Sequence, residues 1–182
     1  MACLILFALP RKVCADDISV PIALQVPLLT KVAEYDRHFA ERAQGMVHVL
    51  IVTKAGNADS LHAGTQMQAG LGRIDRIAGL PHDEALLTYS GATQLAELCR
   101  NRHASIVFFS TGLRDEIGAV AQALSGSDVL TASAVPDDVR AGIVLGFDLI
   151  SSRPKVMVNL RQARLQNIDF RSDLLRLAVV FE

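Results

Sequence analysis

The side chains able to do chemistry in this 182-residue chain are five histidines, three cysteines and a scatter of serines, threonines and acids. A metal site on one element needs ligands spaced so that they share a face, with an acid or thiol to complete the set. His38, His48, His62, His82 and His103 show no such pairing, so no metal site is expected. His48 stands inside an apolar run and reads as a core or edge residue. Gly70-x-Gly72 with Gly79 has the composition of a dinucleotide loop. It lies in or after a helix, not between a strand and a helix, so the phosphate cradle is missing. Neither a Walker loop nor a Gly-x-Ser-x-Gly elbow occurs. Ser110-Thr111-Gly112 follows a strand, the right place for a nucleophile. No motif marks a histidine or acid as its partner. Ser110 therefore reads first as a turn serine, and only second as the nucleophile of a cytosolic α/β hydrolase. No catalytic residue and no cofactor are expected.

A ligand cleft is the better reading. Open parallel sheets bind small molecules outside the carboxyl ends of their strands. Those ends supply Asn57, Asp59 and Ser60, then Ser110 and Thr111, then Thr131 and Ser133. All are neutral or acidic hydrogen-bonding groups, and a helix start after Ser60 or Gly112 suits an anion. The competing reading is that these residues cap helices, the commoner use of Ser, Thr, Asn and Asp.

The elements that must position them alternate. Ser19-Val20-Pro21 opens a first helix, with Ser19 as cap and Pro27 as a kink or restart. Leu28, Val32, Tyr35 and Phe39 continue it as a buried stripe that Gly45 ends. Met46 to Thr53 is a near-continuous apolar run, the pattern of a strand buried on both faces. A helix follows near Leu61, its inward stripe Leu61, Thr65, Gln68, Leu71 and Ile74, broken by Gly79-Leu80-Pro81. Ala85–Tyr89, Ala104–Phe109 and Val129–Ala132 are further strands. Between them lie helices at Thr93–Arg102 and from Leu113 to Leu124. Such alternation gives a mostly parallel sheet with right-handed crossovers. Ile143–Ile150 and Lys155–Leu160 stand four residues apart, so they form an antiparallel hairpin at a sheet edge. A closing helix over Ser172–Phe181 packs Leu174, Leu175, Leu177 and Ala178 on the sheet. The fold class is thus α/β, three layers, a Rossmann-like sheet flanked by helices with a C-terminal hairpin and closing helix.

Composition bounds the rest. Apolar residues are 51% of the chain and aromatics 5%, with no tryptophan, so an aliphatic core serves one domain. A formal net charge of −1 without a basic stripe argues against nucleic acid as partner. Met1 to Leu9 is apolar, and Val13-Cys14-Ala15 before Asp16-Asp17 resembles a signal-peptidase site. The run is shorter than the roughly 20 residues a membrane span needs. Arg11 and Lys12 follow the apolar run, whereas a signal peptide puts its charge before it. The boundaries expected are a signal peptide, possibly truncated, over 1–15 and a single domain over 16–182. The competing reading is the N-terminal strand of a cytosolic protein. Export removes Cys3 and Cys14, which leaves Cys99 without a disulfide partner. It reads as a buried, inert thiol rather than a reactive one.

Four short motifs, in order along the chain, carry a resemblance. They are Val20-Pro21-Ile22-Ala23-Leu24-Gln25 with Leu28-Leu29 and Lys31, Val129-Leu130-Thr131-Ala132-Ser133, Pro154 to Leu160, and Ser172-Asp173-Leu174-Leu175-Arg176-Leu177-Ala178. Together they resemble the YfiR/HmsC-like family of bacterial periplasmic proteins. The chain departs from it at Ala141-Gly142, where a glycine pair is usual, and in its cysteines. The resemblance implies a fold similar to one lobe of a solute-binding protein. It also implies a non-enzymatic periplasmic regulator that binds and represses the sensor region of an inner-membrane diguanylate cyclase. That role belongs to cyclic-di-GMP signalling and biofilm control. The matching motifs are core and closing-helix positions, so no binding residue carries over. A periplasmic solute-binding module is the alternative function, and a homodimer and a small-molecule ligand stay open as partners.

Overall fold

The structure, a computed structural model, describes residues 18–182. The segment expected as a signal peptide, with Cys3 and Cys14, lies outside the described residues. The chain begins with α1 (Ile22–Ala33), whose N-cap is Pro21 rather than Ser19. Pro27 is carried inside this helix and does not restart it. A proline there forfeits a backbone hydrogen bond, about 3 kcal/mol. Burial of Ile22, Val26, Leu29 and Val32 offsets that, at roughly 1.5–3 kcal/mol each. The stripe from Leu28 to Phe39 is not one helix. The chain leaves α1 at Glu34, Asp36 forms a bridge to Phe170, and a separate turn, α2 (Phe39–Arg42), follows.

Alternation then proceeds as the pattern predicts. It runs β1 (Val47–Thr53), α3 (Ala58–Leu71), β2 (His82–Thr88), α4 (Ala92–Asn101), β3 (Ala104–Phe109). A 3-10 turn at Arg114–Glu116 leads into α5 (Ile117–Ala123), β4 (Leu130–Ser133) and α6 (Asp137–Ala141). The hairpin is β5 (Leu145–Ile150) and β6 (Arg153–Asn159), antiparallel along its whole length. It is followed by α7 (Leu160–Leu165), α8 (Ser172–Leu175) and β7 (Val179–Phe181).

The strands form one seven-stranded sheet in the order β2-β1-β3-β4-β5-β6-β7, with only the β5–β6 pair antiparallel. Side chains of β1 and β3 alternate between two cores, which is why both strands read as unbroken apolar runs. Val49, Ile51, Ile106 and Phe108 face α1 and α3, while Leu50, Val52, Val107 and Phe109 face α4 and α5.

Four further expectations change. The inward face of α3 is Ser60, Ala63, Gly64, Met67 and Leu71, and Leu61 is 53% exposed. Small residues bring the helix close to the sheet: a Cβ on Gly64 would stand 2.6 Å from Thr53 Cγ2. The helix also stops at Leu71, well before Gly79. The hairpin is not the edge of the sheet, because β7 pairs parallel with Met157–Asn159 outside it. The closing helix is a single turn, and Val179-Val180-Phe181 extends as a strand; Leu177 is exposed.

Candidate functional site

The strand order reverses between β1 and β3, since the chain crosses from β1 outward to β2 and then back past β1 to β3. Loops leaving the carboxyl ends of β1 and β3 therefore diverge, and the crevice between them is where ligands of open α/β sheets bind. The first loop is Lys54 to Asn57. Asn57 caps α3, its Oδ1 accepting from the Ser60 amide at 2.9 Å. Ser60 Oγ accepts from the Lys54 amide at 2.7 Å, folding the loop onto the helix start. The second loop is Ser110-Thr111-Gly112. Ser110 Oγ donates to the Val52 carbonyl at 2.9 Å and shares a 2.6 Å hydrogen bond with Ser60 Oγ. Gly112 holds φ +80°, and a Cβ there would stand 2.6 Å from Asn57 Nδ2, so the position requires glycine twice over.

Four of the expected residues thus gather at the reversal: Asn57, Ser110 and Thr111 on the two loops, and Ser60 in the first turn of α3. Three of them act on the fold, as a cap and as loop-to-loop hydrogen bonds. Thr111 is different: its Oγ1 is buried and finds no hydrogen-bond partner among the described residues. Asp59 is exposed in the first turn of α3, where its charge suits the helix dipole. Thr131 and Ser133 belong to the next strand and are fully buried. Thr131 Oγ1 donates to Gln166 Oε1 at 3.0 Å and accepts the Val144 amide at 3.1 Å. Ser133 Oγ donates to Asp138 Oδ2 at 2.7 Å and accepts the Val135 amide at 3.1 Å. Those two fix β4 to its neighbours.

Ser110 is buried, and its hydroxyl partners are a serine and a carbonyl, not a histidine or carboxylate. Such a hydroxyl lacks a base to take its proton. Among the described residues no group of three or more His, Cys, Asp or Glu is placed to hold a metal ion.

Sequence reading missed the charged side of the site. Lys54 Nζ lies 2.6 Å from Glu116 Oε1 across the loop mouth. The Tyr89 phenol is raised above its ordinary range by burial and by the nearby Glu116 charge, against the opposing pull of Lys54. Lys54 directly follows a strand and was the one available signal. Glu116 and Tyr89 come from distant elements that only the topology brings together.

Among curated proteins, none matches the chain. Solved structures share its fold. A conserved domain protein from Vibrio cholerae O1 biovar eltor superposes with a TM-score of 0.61 at 12% identity, covering 89% of this chain and 60% of that one. The ABC domain in complex with L-Trp from Streptococcus pneumonia gives 0.62 at 11% identity, covering 88% and 62%. The ligand-free, open structure of a substrate binding protein with adhesive properties from Clostridium difficile gives 0.60 at 9% identity, covering 90% and 60%. The chain spans about three fifths of the length of these proteins. Their likeness supports the Rossmann-like α/β fold expected from the sequence. The sequence model of the YfiR/HmsC-like family matches residues 24–179, nearly the whole described chain, and the chain belongs to that family.

Proposed function

We propose that the chain is a non-enzymatic periplasmic regulator that docks on the periplasmic sensor region of an inner-membrane diguanylate cyclase and holds it inactive. Release follows when a ligand changes the interface. The family match over residues 24–179 carries this reading. It is supported by a site whose polar groups brace loops rather than activate a nucleophile. Among the described residues no helix is long and apolar enough to cross a membrane. In the same proposal residues 1–15 direct export and 16–182 form the working domain.

The test is affinity capture from detergent-solubilised membranes of the native host, with mass spectrometry of the mature N-terminus. The expected result is a chain starting at Asp16 or Asp17 that retains a membrane sensor with cyclase output. Capture of no such sensor, or a cytosolic chain keeping Met1, overturns the proposal.

A second reading, a small-molecule binding module, is favoured by Thr111 Oγ1 at the reversal point and by the substrate-binding proteins among the fold neighbours. Under it, the purified chain binds its ligand with every protein partner removed, as calorimetry measures.

A further inference from the structure

The two edges of the sheet are built differently. The β7 edge is three residues long, and the part of β6 that it leaves uncovered is Arg153-Pro154-Lys155-Val156. Short length, proline and long cationic side chains are the usual protection against strand addition. The β2 edge has none of them. It is seven residues, His82-Asp83-Glu84-Ala85-Leu86-Leu87-Thr88, in unbroken register with β1.

Which backbone groups of β2 point outward follows from the ladder. The Val47 amide donates to the Pro81 carbonyl, and the Tyr89 amide donates to the Thr53 carbonyl. Odd-numbered residues therefore turn their N–H and C=O toward β1, and His82, Glu84, Leu86 and Thr88 turn theirs away. No hydrogen bond among the described residues takes those outward groups.

The side chains at this edge suit a partner. Leu86 lies half-exposed on the α3 face, and Ala85, Leu87 and Tyr89 lie half-exposed on the α4 face. Beside them runs one flank of α3. The opposite flank, with Gln66, Ala69, Gly70 and Arg73, lines a groove of about 630 Å³ against α1. The flank toward β2 is marked by Gly64 and Gly72, whose Cβ positions meet Leu86 Cδ1 and Glu84 Oε1. Leu61 stands on this flank, 53% exposed. The acids of β2 carry local partners: Asp83 Oδ1 is 2.9 Å from His48 Nδ1, and Glu84 Oε2 is 3.3 Å from His82 Nδ1.

We propose that β2 pairs antiparallel with β2 of a second copy, about a two-fold axis at Leu86, to make one continuous sheet through both chains. The outward groups fix the parity, since even residues must face even residues. Parity still admits several centres: one on Glu84 would oppose like charges, one on Ala85 would set Asp83 against Leu87 and Glu84 against Leu86, and one on Leu87 would set Leu86 against Thr88. Centring on Leu86 places Leu86 opposite Leu86, Ala85 opposite Leu87, Glu84 opposite Thr88 and Asp83 opposite Tyr89. Apolar side chains then meet apolar ones, and each carboxylate meets a hydroxyl. Leu61 of each copy extends the contact along the helix layer.

The test is amide hydrogen exchange of the full chain across a concentration series, read beside its mass by light scattering. The expected result is a two-chain mass at high concentration, with the Glu84, Leu86 and Thr88 amides slowed at least about tenfold relative to dilute protein. The Asp83, Ala85, Leu87 and Tyr89 amides stay protected throughout. Thr88→Pro, which removes an outward donor, and Leu61→Glu, at an exposed position, shift the mass to one chain while circular dichroism is unchanged. A single-chain mass at every concentration overturns the proposal. So does concentration-independent protection of the even amides, which would mean that the chain's own N-terminal segment covers the edge. A dimer that survives both variants places the interface elsewhere.

Discussion

Asp36 and Arg42 form a nearly buried ion pair, their side chains 0% and 11% exposed. Arg42 Nη1 donates to Asp36 Oδ1 at 3.2 Å, and its Nε donates to the Asp128 carbonyl at 3.1 Å, joining the α1–α2 break to the start of β4. Removing one member of such a pair leaves a buried charge alone, at about 3–5 kcal/mol. Asp36→Asn is expected to lose about 3 kcal/mol in urea unfolding, and the double change with Arg42→Met is expected to recover most of it. This pair was illegible in the sequence, where Asp36 and Arg42 stand six residues apart and no helical spacing marks them as partners. The Cys99 thiol, by contrast, was legible from its place on an apolar helix face. It is 2% exposed, and burial pushes it up to about 12, with Arg100 pulling weakly the other way. Its folded value stands above the ordinary one, so the protonated thiol stabilises the fold fully below pH 9. That stability is lost as pH rises from 9 toward about 12. A Cys99→Ala variant is expected to lack this alkaline slope. Alkylation at pH 8, followed by peptide mass spectrometry, is expected to leave Cys99 unmodified until the protein is unfolded.

Elements were read where local pattern decides and misread where tertiary contacts do. The β3 run Ala104–Phe109 and the β5–β6 hairpin followed from apolar continuity and a connector too short for anything else. Ser172–Phe181 has helical spacing of leucines, yet Val179-Val180-Phe181 gains more by pairing with β6 than by continuing a helix on the surface. α3 hid its inward face because Ala63 and Gly64 do not register as a hydrophobic stripe, although close packing on Thr53 and Leu86 needs them small. The hairpin turn carries a cost of its own. Ser151 and Ser152 hold φ of +51° and +61°, both left-handed, where Asn-Gly is the preferred pair. Each non-glycine residue there costs roughly 1–2 kcal/mol, partly returned by the greater flexibility glycine gives the unfolded chain. Ser151→Asn with Ser152→Gly is therefore expected to stabilise the protein by about 1 kcal/mol, seen as a shift of the urea midpoint at constant slope.

For the whole molecule, order in space is what the sequence withholds. Four strands read alike as buried runs, and nothing local says that β1 lies inside β2, or that the reversal falls between β1 and β3. The residues after each strand could be picked out, but not which of them share a crevice. The fold brings Asn57 and Ser60 to Ser110 and Thr111, adds Lys54 and Glu116 at the mouth, and leaves Thr131 and Ser133 as braces of the next strand. Within that group Thr111 alone keeps a buried hydroxyl that bonds to no described residue. A buried hydroxyl without a partner costs about 1–3 kcal/mol, and under the proposed function that cost is offset by a contact made on binding. Thr111→Val keeps the shape and removes the hydroxyl. The free protein is expected to gain about 1 kcal/mol in urea unfolding. Whatever binds at that end of the sheet, a cyclase sensor in membrane capture or a small molecule in calorimetry, is expected to lose about tenfold in affinity. A stabilised variant that binds both unchanged would take Thr111 out of the site and leave the crevice as scaffold.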